Sequence, residues 1–400
     1  MNMKQVYVFL LMLSYVSAFS FGDKKTDLKN LGYSNSAFGF DVYKSLKQAE
    51  GNIFFSPYSI STAFAMTYAG AKNQTQKEIS SVFYFPHKGL HSLFGKLQKT
   101  INTMQDEGSI KLSVANALWL QKEYPFLNTF VKLNEKYYGA GIQSVDFLKH
   151  TEDARQTINA WIEDKTQDHI KELIKPRMVD KSTRLVLSNA IYFKGNWKAS
   201  FEKKNTKERF FHLSATEKIQ VPMMMQSSKY KFKKLDDFRV IELPYEGNSL
   251  SMFLFLPTEV DGLGDFERKF TNKNVNNWIK SLQDSSKIKV KVSLPKFKIT
   301  SDFELSSTLI ALGMPRAFSS MADFSGMDGT KDLYISNVVH KAFVDVNEEG
   351  TEATASTAVI MARKSIRSSP VFQANHPFLF LIREQKTGSI LFMGRVVNPK

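Results

Sequence analysis

The spacing of apolar positions changes character halfway along this chain. In the first half they recur at helical intervals. Lys25–Ala49 carries Leu28, Leu31, Phe38, Phe40, Val42, Tyr43 and Leu46, close to helical spacing from Ser36 onward. Ser56–Ala71 reads SPYSISTAFAMTYAGA, a Ser-Pro helix start followed by an Ala-rich apolar run. The pattern predicts further helices over Leu90–Asp106 and Phe126–Tyr138. Another spans Thr151–Ile174, acidic at its start and apolar at Ile158, Ile162, Ile170 and Leu173.

Strand patterns dominate the second half. Thr183–Trp197 and Leu250–Pro257 are continuous apolar runs of the kind found in buried strands. Lys287–Ile299 alternates Lys with Ile or Val, which predicts one half-exposed strand. His376–Glu384 and Ser389–Val397 flank the turn QKTG and close the chain. Helices early and strands late argue for an α+β fold. Length alone would allow two or three domains. No Pro/Gly/Ser-rich linker, repeat or low-complexity block interrupts the sequence, so a single large domain is expected.

Val6–Val16 is an apolar run too short for a bilayer, followed by the small-residue site Val16-Ser17-Ala18. Residues 1–18 therefore read as a signal peptide, residues 19–400 as the mature domain, and no membrane span is expected. A secreted chain without cysteine must be held by its core. A net charge of +15 favours polyanions such as sulfated glycans, while secretion argues against nucleic acid. Asn73-Gln74-Thr75 is an N-glycosylation sequon. Enzyme motifs are missing: there is no G-x-S-x-G elbow, H-E-x-x-H, P-loop or dinucleotide fingerprint. His87 and His91 are four residues apart with no third ligand nearby, so they read as a solvated pair and no metal site is expected.

Six segments, in order, carry a more specific signal. They are Asn52–Ala71, Leu187–Trp197, Val240–Gly247, Leu294–Ile299, Val338–Ala353 (VVHKAFVDVNEEGTEA) and Ala374–Pro399. Together they resemble the serpins, protease inhibitors that work by loop insertion. The resemblance implies one domain of three β-sheets and about nine helices, with a reactive-centre loop over about residues 347–372. A target protease cleaves a bait bond in that loop. The loop then enters the largest sheet as a new strand and traps the acyl-enzyme.

The loop of this chain suits insertion. The hinge the resemblance assigns is Glu348, Gly350, Thr351, Glu352, Ala353, Thr354 and Ala355, with Thr354 standing where the family usually has Ala. In an extended strand Thr351, Ala353, Ala355, Thr357 and Val359 share one face. That set is small or β-branched and uncharged, so it enters a packed interior without burying a charge. The 14 residues from Thr351 to Lys364 contain no Pro and span about 46 Å when extended. Family spacing from Gly350 puts the bait bond at Lys364–Ser365, with Arg363–Lys364 as the rival. Either basic residue fits the acidic pocket of a trypsin-like protease.

The same resemblance assigns Ser56, Ser59, Asn189 and His340 to a polar cluster beneath the opening sheet. It places Trp197, Glu348 and Lys296 where insertion begins, with a Glu348–Lys296 ion pair. Two Lys groups, Lys229, Lys231, Lys233 and Lys234, and Lys287, Lys289 and Lys291, are candidate sites for a heparin-like polyanion; the other reading is a solvated strand edge. The expectation is a monomeric, secreted suicide inhibitor of trypsin-like proteases, free in the extracellular fluid or stored in granules, that requires no cofactor. The alternative is a non-inhibitory serpin acting as carrier, chaperone or storage protein.

Overall fold

The computed structural model describes residues 24–106, 110–139, 141–350 and 369–400. Residues 1–18, expected to be a signal peptide, and residues 351 to 368, which include the expected bait bond, lie outside them. Among the described residues the helices are α1 (Lys24–Leu46), α2 (Pro57–Tyr68), α3 (Asn73–Val82), α4 (Leu90–Asp106), α5 (Asn128–Tyr138), α6 (Thr151–Lys165), α7 (Leu263–Lys269), α8 (Asn272–Gln283), α9 (Ser306–Leu312) and α10 (Ser325–Asp328). The strands are β1 (Ile53–Phe55), β2 (Ile110–Gln121), β3 (Gly141–Val145), β4 (Leu185–Gly195), β5 (Lys207–His212), β6 (Lys218–Lys234), β7 (Phe238–Pro244), β8 (Leu250–Pro257), β9 (Ile288–Pro295), β10 (Phe297–Glu304), β11 (Val338–Val346), β12 (Val371–Gln373), β13 (Phe378–Glu384) and β14 (Ile390–Val396).

One sheet has five strands in the order β10-β11-β4-β2-β3. The other nine strands form a continuous surface, because the long strand β6 belongs to two sheets. Its first part pairs with β5 and β9, and its last four residues pair with β7. The α+β architecture of three sheets is therefore present, two of them joined along β6.

Helix α2 sits at the centre. Every residue from Pro57 to Thr67 is buried, as befits a helix apolar on all sides. Ser56 caps it by accepting from Ser59 N, and Pro57 occupies the first turn, where a missing N–H costs nothing. Strand β8 is buried along its whole length, and Phe54, Phe380 and Phe392 stack beside it. No cysteine contributes, so packing alone carries the fold.

Three patterns resolve differently from their sequence reading. The helix expected over Thr151–Ile174 stops at Lys165, because Gln167 and Asp168 take positive φ angles of 53° and 59°. Ile170, Leu173 and Ile174 are still buried, since the following loop lies flat on the five-stranded sheet beneath α6. The single strand expected over Lys287–Ile299 is two strands, β9 and β10, in different sheets, broken at Lys296. His91 is half-buried rather than freely solvated: its Nδ1 lies 2.7 Å from the Tyr138 hydroxyl, and burial lowers its pKa to about 4.

Candidate functional site

Strand β11 pairs antiparallel with β10 on one side and parallel with β4 on the other. The parallel ladder runs from Val338 opposite Leu187 to Val344 opposite Phe193. Above it the two strands are linked through Gly350. This residue forms antiparallel bridges both to Asn347, just past β11, and to Asn196, just past β4. Asn347 N donates to Gly350 O at 2.9 Å and Gly350 N to Asn347 O at 3.3 Å, which reverses the chain. Only glycine fits: φ is 137°, and a Cβ would stand 2.1 Å from Gly195 O.

Gly350 thus occupies the first rung of a strand between β11 and β4. A segment continuing from it would run antiparallel to β11, having just reversed, and so antiparallel to β4 as well. One parallel ladder would give way to two antiparallel ones, the pairing that is slightly stronger per residue.

Beside this rung the chain is tied down. Trp197 is buried, stacks on Tyr245 at 4.7 Å between ring centroids, and donates from Nε1 to Asn347 O at 3.1 Å. Trp197 N donates to Glu349 O and Phe201 N to Glu348 O. The buried Glu348 carboxylate accepts from Thr206 Oγ1 at 2.7 Å and lies 2.9 Å from Lys296 Nζ. Burial pushes this carboxyl up, but the bonds from Lys296 and Thr206 outweigh it and hold its pKa below the usual value.

Lower in the ladder, three polar residues stand side by side on adjacent strands. His340 is opposite Asn189, and Asn189 is opposite Asn116. All three face the N-terminus of α2. Ser56 N donates to His340 Nε2 at 3.0 Å, so the imidazole proton sits on Nδ1 and is donated to Asn189 Oδ1. Asn189 Nδ2 donates to Ser59 Oγ at 2.9 Å and Asn116 Oδ1 at 2.7 Å, and Ser59 Oγ donates to Asn116 Oδ1 at 3.0 Å. Burial lowers the His340 pKa to about 3, so the ring is neutral near pH 7. The structure therefore brings Ser56, Ser59, Asn189 and His340 into one network and adds Asn116. The signal for Asn116 was present, a lone amide inside the apolar run SVANALWL.

The opposite face of the sheet also spans the seam. His169 stacks on Tyr192 of β4 at 4.3 Å and on Phe343 of β11 at 4.9 Å, and those two residues are register partners. The loop carrying His169 is fastened by Lys341 Nζ, which donates to Lys171 O at 2.7 Å. A strand entering between β4 and β11 would separate the rings that hold His169.

Of the hinge residues, Glu348 and Gly350 are placed as above. Thr351, Glu352, Ala353, Thr354, Ala355, Arg363, Lys364 and Ser365 lie outside the described residues. The two Lys groups meet on neighbouring strands, with Lys229 opposite Lys289. Lys229, Lys287, Lys289 and Lys291 are exposed. Lys231 instead donates to Gln283 O at 2.6 Å and Lys233 donates to Ser281 Oγ, both near the C-terminal end of α8, where cations are favoured. Lys234, one residue on, takes the opposite face of the strand. Asn73 is exposed, with Nδ2 donating to Asp323 Oδ2 at 2.8 Å. Among the described residues no cluster could hold a metal ion, and no helix is long and apolar enough to cross a membrane.

These features agree with comparisons across known proteins. The family model described as Serpin (serine protease inhibitor) matches residues 33–399. The chain belongs to the serpin family; it is a serine protease inhibitor and not an enzyme. Among its relatives, leukocyte elastase inhibitor of Homo sapiens is 43% identical, with 93% of this chain and 100% of the relative covered. Serpin B3 of Homo sapiens is 39% identical at the same coverage of both chains. Uncleaved ovalbumin superposes with a TM-score of 0.84 at 32% identity, over 92% of this chain and 100% of that one. Serpin48 of the insect Tenebrio molitor, described as highly specific, gives 0.80 at 32% identity, over 94% of this chain and 99% of that one.

Proposed function

We propose that this serpin is a secreted, monomeric inhibitor of trypsin-like serine proteases, cleaved at Lys364–Ser365. Its leader is residues 1–18 and its mature domain residues 19–400. The observation that carries the insertion mechanism is the bridging of Gly350 to both Asn347 and Asn196. The proline-free run behind Gly350, with its uncharged face of Thr351, Ala353, Ala355, Thr357 and Val359, supplies the strand. The protease preference rests on Lys364 alone, with Arg363–Lys364 predicting the same class.

Incubation with trypsin, chymotrypsin and leukocyte elastase followed by a denaturing gel tests this reading. An SDS-stable complex with trypsin is expected, and mass spectrometry of the released C-terminal peptide identifies the bond. Leu at position 364 should abolish that complex. A complex with elastase alone would move the target to the protease for which the relatives are named. Cleavage without any complex would favour a carrier, chaperone or storage serpin. N-terminal sequencing of protein recovered from the culture medium tests export and removal of residues 1–18.

A sulfated glycan is the accelerator we propose, along the exposed Lys229, Lys289 and Lys291 with Lys287 beside them. Directly opposed like charges such as Lys229 and Lys289 repel, and a polyanion would relieve that repulsion. Salt-dependent retention on a heparin column, and its loss when these four lysines become Gln, is the check. Mobility after glycosidase treatment tests attachment at Asn73.

A further inference from the structure

A cavity of about 540 Å³ lies where the chain re-enters the sheets at Pro370 and Val371. The ends of four strands bound it: His212 of β5, Lys234 of β6, Arg239 of β7 and Val371 of β12. Lys234 and Arg239 are register partners on neighbouring strands. Like charges directly opposite one another are destabilising, so their persistence asks for a compensating anion.

Other cations nearby have found partners. Lys231 donates to Gln283 O, Lys233 to Ser281 Oγ, and Lys269 pairs with Asp237. Among the described residues neither Lys234 nor Arg239 has a hydrogen bond or ion pair through its side chain. Thr258 also lines the cavity, with its hydroxyl oxygen buried beneath the surface rather than exposed to the cavity. Its backbone N–H is already used, donating to Asp237 O at 2.8 Å. Glu259, the acid whose charge reaches His376, is exposed and not part of the lining.

We infer that this cavity binds a small ligand carrying a tetrahedral oxyanion ester, a phosphate or sulfate monoester on an apolar body. Lys234 and Arg239 hold the oxyanion, and Phe232, Val260 and Val371 line the space for the apolar part. The volume is that of an ordinary small-molecule site. The site is separate from the exposed lysine face proposed for glycans, because Lys234 points to the other side of β6. Its occupant would brace β12, which has three residues and pairs only with β9 among the described strands, and so would brace the C-terminal anchor of the loop.

Calorimetric titration of the full chain with 4-nitrophenyl phosphate, 4-nitrophenyl sulfate and inorganic phosphate tests the inference. Saturable one-to-one binding of at least one ester is expected, tighter than inorganic phosphate. The tighter ester identifies the ligand class. Lys234→Gln and Arg239→Gln should each weaken binding about tenfold, the loss of one charge-assisted hydrogen bond. Lys229→Gln, on the other face of β6, should leave it unchanged. The melting temperature of each variant without ligand verifies that it is folded. No saturable binding by either ester, or undiminished binding by the folded double variant, overturns the inference.

Discussion

The two faces of the five-stranded sheet hold the same seam by different physics. On the inner face His340 and Asn189 join β11 to β4 through a directed hydrogen bond, within a network that reaches Ser56, Ser59 and Asn116. On the outer face His169 lies across Tyr192 and Phe343, held by ring stacking and a loop. The inner contact is fully buried, and each of its polar atoms needs a partner. The outer contact is partly exposed and tolerates sliding. A sheet that must stay closed and later open once benefits from both. The hydrogen-bonded row sets the register of the closed form, while the stacked ring can be lifted without leaving a buried polar atom unpaired.

The strongest way to break this arrangement is to make the seam impassable. Thr351→Arg brings a charge into the strand that must enter, at a cost of several kcal/mol. Trypsin should then cleave the variant without forming an SDS-stable complex. Gly350→Ala is expected to come next. A Cβ 2.1 Å from Gly195 O displaces the first rung, and the stoichiometry of inhibition should rise as more molecules are consumed as substrate.

The inner and outer contacts can then be compared directly. His340→Ala strands Asn189 Oδ1 and should lower the unfolding free energy of the intact form by about 1–3 kcal/mol in urea titration. The pH dependence has a definite sign. His340 is held near a pKa of about 3, below the value of about 6.5 of an unfolded histidine. Its contribution is therefore complete above pH 6.5 and is lost as pH falls toward 3. Between those limits the slope approaches about 1.4 kcal/mol per pH unit for this residue. His91, lowered to about 4 by burial, adds to the same trend. Replacing His340 with Gln should reduce the fall of the urea midpoint between pH 7 and 5. The smallest effect is that of His169→Ala, about 0.5–1.5 kcal/mol for the lost ring contacts. It should appear in the intact form and vanish in the nicked one, where the stack is already parted.

Much of this could be read from the chain because local and global signals agree. The Ser-Pro start of α2, the apolar run of β8 and the turn before β14 are visible in a few residues each. Glu348 and Lys296 could be paired on resemblance, although 52 positions apart in sequence. What escaped was set by long-range geometry. Asn116 stands out locally as a lone amide in an apolar run, but its partners follow from β2 lying beside β4, which its own neighbourhood does not give. His169 sits past the end of a helix that apolar spacing extends too far, and only the positive φ of Gln167 and Asp168 ends that helix. Lys234 looked like the fourth member of a lysine group, yet strand alternation turns it to the other face, toward Arg239.

The most direct test is calorimetry of the intact protein beside protein nicked once within residues 351–364 by a non-target protease. The parallel seam between β4 and β11 is the weaker arrangement, so the nicked form should melt far above the intact one, with infrared bands showing added antiparallel strand. Equal melting temperatures and an unchanged sheet signal would contradict the account.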